Sequence, residues 1–127
     1  MKRIRGFSLI EATVALALIG VIVVTIMGAF SAVTIAAARH KQATTLDLLT
    51  RSDTEYIKNQ AYSASPATYL NLTSPGYSFS YQVLYYAPGA SPLFSAANAD
   101  NGLEELVLTV SGPNGASESL TFLKVQP

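Results

Sequence analysis

The chain contains no cysteine and a single histidine. No disulfide, thiolate metal site or cysteine nucleophile can be built. His40, flanked by Arg39 and Lys41, has no second histidine or cysteine to join it in a transition-metal site or a nucleophile relay; it reads as a solvated residue. Charge is missing altogether from residues 12–38, and neither proline nor glycine occurs between Gly28 and Pro66. Basic residues almost vanish beyond residue 60, where Asp100, Glu104, Glu105 and Glu118 face Lys124 alone. An acidic head of that kind is a poor match for a phosphate backbone, so nucleic acid is not an expected partner of the head. No triad, paired-carboxylate pocket or phosphate loop can be assembled from these residues, and the reading is non-enzymatic, with no cofactor or metal expected.

What is present is unevenly distributed. The 127 residues are enough for one domain, and many exported domains this small rely on disulfides. Without them, stability has to come from a long helix and from neighbouring subunits. Lys2, Arg3 and Arg5 precede the uncharged run. At about 1.5 Å per residue that run covers about 40 Å as a helix, against a bilayer core of about 30 Å.

An ordinary secretory signal is one reading, with Ala36-Ala37-Ala38 as its small-residue cleavage site. It would release a small secreted binding domain after Ala38. The run is, however, far longer than the roughly 7–15 residues of a signal core. Glu11 also places a carboxylate inside the apolar segment, and an intramembrane ionisable residue implies a function and a partner. A bitopic protein with an uncleaved anchor is a third reading.

Gly6-Phe7-Ser8-Leu9-Ile10-Glu11, behind a short basic leader, resembles the processing motif of type IV prepilins and type II secretion pseudopilins. The resemblance implies cleavage between Gly6 and Phe7 by a membrane-embedded aspartic prepilin peptidase on the cytoplasmic side. Phe7 is then N-methylated, and Glu11 becomes the fifth residue of the mature chain. Glycine suits a cut site because the missing side chain lets a protease approach the backbone. Cleavage leaves an ammonium at Phe7 in the same apolar layer as Glu11. In a filament, Glu11 of one subunit can pair with the Phe7 ammonium of another, and misalignment would strand two charges at several kcal/mol each; the pair acts as a register device.

The resemblance also implies a bacterial inner-membrane, single-pass precursor with an exported head, later lifted into a pilus or pseudopilus with other subunits. It settles the cytoplasmic amino end, which loop charges favour only slightly. The run Val14-Ala15-Leu16-Ala17 and the short cysteine-free head look more like a minor pilin or minor pseudopilin than a major subunit.

Gly20 and Gly28 interrupt the apolar half. Major pilins often carry a proline where Gly28 stands. Glycine costs about 1 kcal/mol in a helix against about 3 for proline, so the helix is softened here and not broken. Close helix packing is an equal alternative for both glycines.

The helix should continue to about residue 60, with Leu46, Leu49, Asp53, Tyr56 and Ile57 forming an inward stripe. The expected organisation is a leader at 1–6, a membrane and filament-core helix at 7–38, its exported half at 39–60, and a head at 61–127. Within the head, 61–76 reads as a linker, 77–83 as a half-buried strand, 86–102 as a surface loop, and 104–111 and 119–125 as two more strands. Gly112-Pro113-Asn114-Gly115 supplies the turn between the last two. The fold class is α+β, a three-stranded antiparallel sheet laid on the outer half of a long helix. The seven tyrosines read as packing residues. The oxygen-rich segment 98–105 is a conceivable calcium loop but fits a solvated turn better. Asn71-Leu72-Thr73 is a weak glycosylation match.

Overall fold

The computed structural model describes residues 8–127. The expected leader, and with it Gly6 and Phe7, lies outside them. Contacts divide the chain into two units, Met1–His40 and Lys41–Pro127.

The first unit carries the apolar part of helix α1, which runs over Leu9–Asn59. Its side chains are unpacked: Leu9 is 88% exposed and Phe30 71%, so lipid or other subunits must cover them. The threonine hydroxyls are satisfied within the helix. Thr13 donates to Leu9 O at 2.6 Å and Thr25 to Val21 O at 2.8 Å, which removes the penalty for placing a free donor in hydrocarbon. The helix continues through Gly20 and Gly28, and a Cβ added at either would meet nothing within 4 Å.

In the second unit the end of α1 packs against a sheet of four strands: β1 (Ser78–Tyr86), β2 (Phe94–Ser95), β3 (Leu103–Ser111) and β4 (Ser117–Val125). The order is β2-β1-β3-β4 and every pairing is antiparallel. The expected sheet had three strands. The addition, β2, pairs Tyr86 with Phe94 and Tyr85 with Ser95 inside the segment read as a loop. Two residues are too few to show an alternating pattern, and it is the Tyr86–Phe94 ring contact, 5.4 Å between centroids, that holds them there.

Strand alternation sets the core. On β3, Glu104, Leu106, Leu108 and Val110 are buried while the residues between them are half-exposed. Leu46 and Ile57 of α1 and Tyr69 meet this face, each large apolar side chain contributing about 1.5–3 kcal/mol. The helix face differs from the expected stripe in one respect. Leu46, Thr50, Asp53, Thr54 and Ile57 are buried, whereas Tyr56 is 40% exposed. The true arc follows steps of three and four from Leu46, and Tyr56 falls beside it.

Residues 61–76 form no strand beyond a single bridge from Ser74 to Tyr77. Their backbone N–H groups are instead held by side chains. Ser63 N donates to Tyr69 Oη at 3.0 Å, Ala67 N to Tyr85 Oη at 3.1 Å, and Tyr69 N to Tyr81 Oη at 2.8 Å. Leu72 N donates to Asp53 Oδ1 at 2.6 Å. Three tyrosines expected only to pack therefore also serve as acceptors for a segment that has no ladder of its own.

The β3–β4 turn places Asn114 and Gly115 in the left-handed region, φ 63° and 75°, where asparagine and glycine are tolerated best. Gln42 Nε2 donates to Pro113 O and fastens this turn to α1. Gly112 is required for space: a Cβ there would lie 2.9 Å from the Tyr77 ring and 3.4 Å from Leu46 Cδ2.

Candidate functional site

Ser8 precedes the first helical residue, and Glu11 sits at the third position of α1. Ser8 O accepts the first helical bond from Ala12 N at 3.1 Å, and Ser8 N donates to Glu11 Oε2 at 3.4 Å. This is the reach-back half of a capping box, in which a glutamate satisfies a donor left over at a helix start. A carboxylate at a helix amino end also faces the positive pole of the helix dipole. The bond is at the long end of the useful range, so the carboxylate keeps most of its capacity to accept from a stronger donor. Of the three residues read as the processing and register site, Glu11 is thus placed at the mouth of the apolar helix. Gly6 and Phe7 lie outside the described residues.

The head concentrates its charge in a place that pattern reading passed over. Glu104 and Lys124 are cross-strand partners on β3 and β4, both turned inward and buried. Lys124 Nζ donates to Ile57 O at 2.7 Å, Lys58 O at 3.3 Å and Gln60 O at 2.6 Å. These carbonyls lie at the carboxyl end of α1 and just beyond it, where helical partners run out, although Ile57 O also accepts from Gln60 N at 3.1 Å; a cation there is favoured by the dipole as well. The ammonium also lies 4.9 Å from the centre of the Tyr69 ring. Tyr69 Oη donates to Glu104 Oε1, while Glu104 Oε2 has no partner among the described residues.

Burial pushes the Glu104 carboxyl above the usual carboxylate range, against the opposing effect of the Tyr69 hydroxyl. Burial likewise lowers Lys124, with Glu104 acting in the other direction. Asp53 is raised by burial too, offset by the Leu72 N–H. The signal for the Glu104–Lys124 pair was in the sequence: both are charges at inward positions of alternating strands whose other inward residues, Glu118 apart, are apolar. The group's role is structural, joining β4 to the end of α1.

The oxygen-rich segment 98–105 does not converge on one point. Asp100 Oδ1 accepts from Tyr62 Oη at 2.5 Å and Gly102 N at 2.9 Å, and Oδ2 from Ser65 N at 2.9 Å. The Tyr62 hydroxyl, with the Gly102 N–H next, holds this carboxyl below the usual range. Asn98 Nδ2 donates to Tyr85 O at 2.9 Å, and Glu104 faces the core. Among the described residues no three histidine, cysteine, aspartate or glutamate side chains cluster as a metal site would require. Asn71, the formal glycosylation acceptor, is half-buried with its Oδ1 enclosed.

Residues 1–27 match the family described as the prokaryotic N-terminal methylation motif. No curated protein and no solved structure matches the chain. The motif spans the basic leader, the Gly6–Glu11 segment and the first turns of an exposed apolar helix, and the rest of the chain supplies an α+β head on the end of that helix. Proteins carrying this motif are processed by prepilin peptidase and assemble with other pilin subunits, as members of a structural, non-enzymatic family. On its motif and its architecture, this chain is a type IV pilin- or pseudopilin-like prepilin, anchored in the membrane by its amino-terminal helix.

Proposed function

We propose that the chain is a minor structural subunit of a type IV pilus or type II secretion pseudopilus. In this reading residues 1–6 are the leader, 7–38 the membrane and filament-core helix, 39–60 the exported half of that helix, and 61–127 the head. Prepilin peptidase cuts between Gly6 and Phe7 in the cytoplasm and methylates Phe7, and the subunit moves from the inner membrane into the filament with its head outside.

The observation that carries the reading is the placement of Glu11. A carboxylate opens a helix whose apolar side chains are bare, and among the described residues it accepts only a 3.4 Å bond from Ser8 N. Before assembly that bond and the helix dipole temper the charge. After cleavage the Phe7 ammonium of a neighbour is a far stronger donor, since charge-assisted hydrogen bonds are about twice as strong as neutral ones. Pairing is then satisfied only in the correct register, because an unpaired charge in an apolar core costs several kcal/mol. Gly20 and Gly28 give the apolar half its softness, or space for a packed neighbour.

The test is the amino-terminal mass of the membrane-fraction protein in cells with and without prepilin peptidase. The expected product begins at N-methylated Phe7 and appears only with the peptidase. Retention of Met1 in both strains would overturn the reading in favour of an uncleaved anchor. A soluble product beginning at Arg39 would instead identify a secreted domain.

A further inference from the structure

The sheet of the head has two open borders, and backbone parity shows what each presents. On the β2 side of β1, Ala87 N donates to Leu93 O at 2.8 Å and Tyr85 O accepts from Asn98 Nδ2 at 2.9 Å. In an antiparallel ladder the N–H and C=O of alternate residues point the same way. Val83, Tyr81 and Phe79 therefore direct both backbone groups to this same border. Because β2 reaches only Tyr85 and Tyr86, these groups have no hydrogen-bond partner among the described residues.

At the other border, Gly112 N donates to Ala116 O at 2.7 Å and Gln126 N to Gly102 O at 2.8 Å. Even-numbered residues of β4 thus bond to β3, and Ser117, Ser119, Thr121, Leu123 and Val125 face outward. All five are exposed.

Native proteins blunt long free edges with proline, bulges or charge. β4 runs nine residues in unbroken register, without a bulge or an internal proline. Its charged residues are Glu118 and Lys124, which alternate to the inner face, and the Lys124 ammonium is engaged by the end of α1. An edge of this length and neutrality persists where another strand covers it. Beside the β1 border lies an open groove of about 470 Å³ whose lining, including Leu72, Pro75, Tyr77 and Phe79, carries no charge. Asn71 also lines it, and its enclosed Oδ1 lacks a donor.

We infer that β4 of one copy docks along the 79–83 border of β1 in a second copy, continuing the sheet from head to head. The two borders lie on opposite sides of the strand order, so the contact is heterologous. Heterologous contacts propagate into open helical arrays, whereas β4 against β4 would close at a dimer. The inference rests on the filament reading for its preference between these two.

The experiment uses the full chain, which has no native thiol. Gln82→Cys/Ser117→Cys and Ser80→Cys/Leu123→Cys each place one thiol on either strand at exposed positions. Each pair is four residues out of the row that joins the two strands through β3 within one head, too far apart for a short bis-maleimide to close within a copy. Cells with prepilin peptidase are treated with a short bis-maleimide, and membranes and sheared filaments are examined separately. A ladder of multimers from at least one double variant, with monomer from each single variant, is expected. Dimer from a Thr121→Cys single variant would show β4 against β4 and overturn the proposal. Filaments without a ladder would overturn it while the filament reading stands. A ladder confined to membranes, with no filaments, would keep the head contact and overturn the filament reading; absence of both overturns both.

Thr121→Pro removes an outward N–H and leaves the β3–β4 bonds in place. It should reduce the ladder at least tenfold with the melting temperature of the head unchanged. A lowered melting temperature would mean that this N–H is already paired within the head, which also overturns the proposal.

Discussion

Replacing Lys124 with methionine keeps the side chain's stem and removes its ammonium. Three carbonyls at the end of α1 lose this donor, at 2.7, 3.3 and 2.6 Å in the native structure, and of them Ile57 O keeps a bond from Gln60 N. Glu104, fully buried across the ladder, loses its compensating charge. Lys58 O, Gln60 O and the Glu104 carboxylate are left unsatisfied, at about 1–3 kcal/mol each and so about 3–9 kcal/mol together. The Glu104 carboxyl recovers part of this by taking up a proton, as burial already inclines it to do. A net loss near the lower figure, at about 4–8 °C per kcal/mol for a domain of this size, lowers the melting temperature by about 12–25 °C.

The assay is thermal unfolding of the full chain in detergent, followed by near-ultraviolet circular dichroism. All seven tyrosines lie at residue 56 or beyond, so the signal reports the head and not the apolar helix. Adding Glu104→Gln to the variant should restore part of the loss, because glutamine carries no charge and still accepts from Tyr69 Oη. A fall smaller than about 5 °C, worth about 1 kcal/mol, would refute the argument that this lysine fastens the sheet to the helix end.

Three further outcomes follow from the structure. Glu11→Gln should leave cleavage intact and cut filament yield at least tenfold, since the loss of a charged partner in an apolar core is worth several kcal/mol; unchanged yield in sheared fractions would count against the register role. Asp53 is held above its usual value by burial, so the folded chain binds a proton that the unfolded chain releases. Its contribution is complete below the unfolded carboxylate value and is lost as pH rises through the folded one. Asp53→Asn should flatten that part of the stability–pH curve just above the ordinary carboxylate range, and a slope identical to the parent's would contradict the assignment. Gly112→Ala places a Cβ 2.9 Å from the Tyr77 ring and should cost about 1–3 kcal/mol of overpacking in denaturant unfolding. A neutral result would show that Tyr77 yields freely.

Much of this was legible in the chain itself, for a physical reason that differs from element to element. An uncharged run longer than a bilayer core has few stable solutions, so the helix followed from composition. Glu11 stood out because a carboxylate in such a run is costly. The Ser8–Glu11 spacing is a local capping pattern, yet whether the bond forms depends on the backbone at the helix start. Strands β1, β3 and β4 carried the period-two signal of half-buried strands, and their observed ends lie within three residues of the expected ones. β2 carried no such signal, because two residues held by one ring contact have no period.

By itself the sequence determined the long apolar helix and the α+β class. These depend on local composition and on the reach of a regular element. Only the tertiary structure decided what the polar residues of the head do. It turned Lys124 onto the end of α1, buried Glu104 beside Tyr69, gave residues 61–76 their hydrogen bonds through tyrosine hydroxyls, and spent Asp100 on tying two loops together. Each of these joins residues 18 or more positions apart in at least one bond, as from Ala67 to Tyr85 or from Lys124 to Ile57. No periodicity in the chain encodes such a meeting, because it depends on which faces the core brings together and which buried donors then need acceptors.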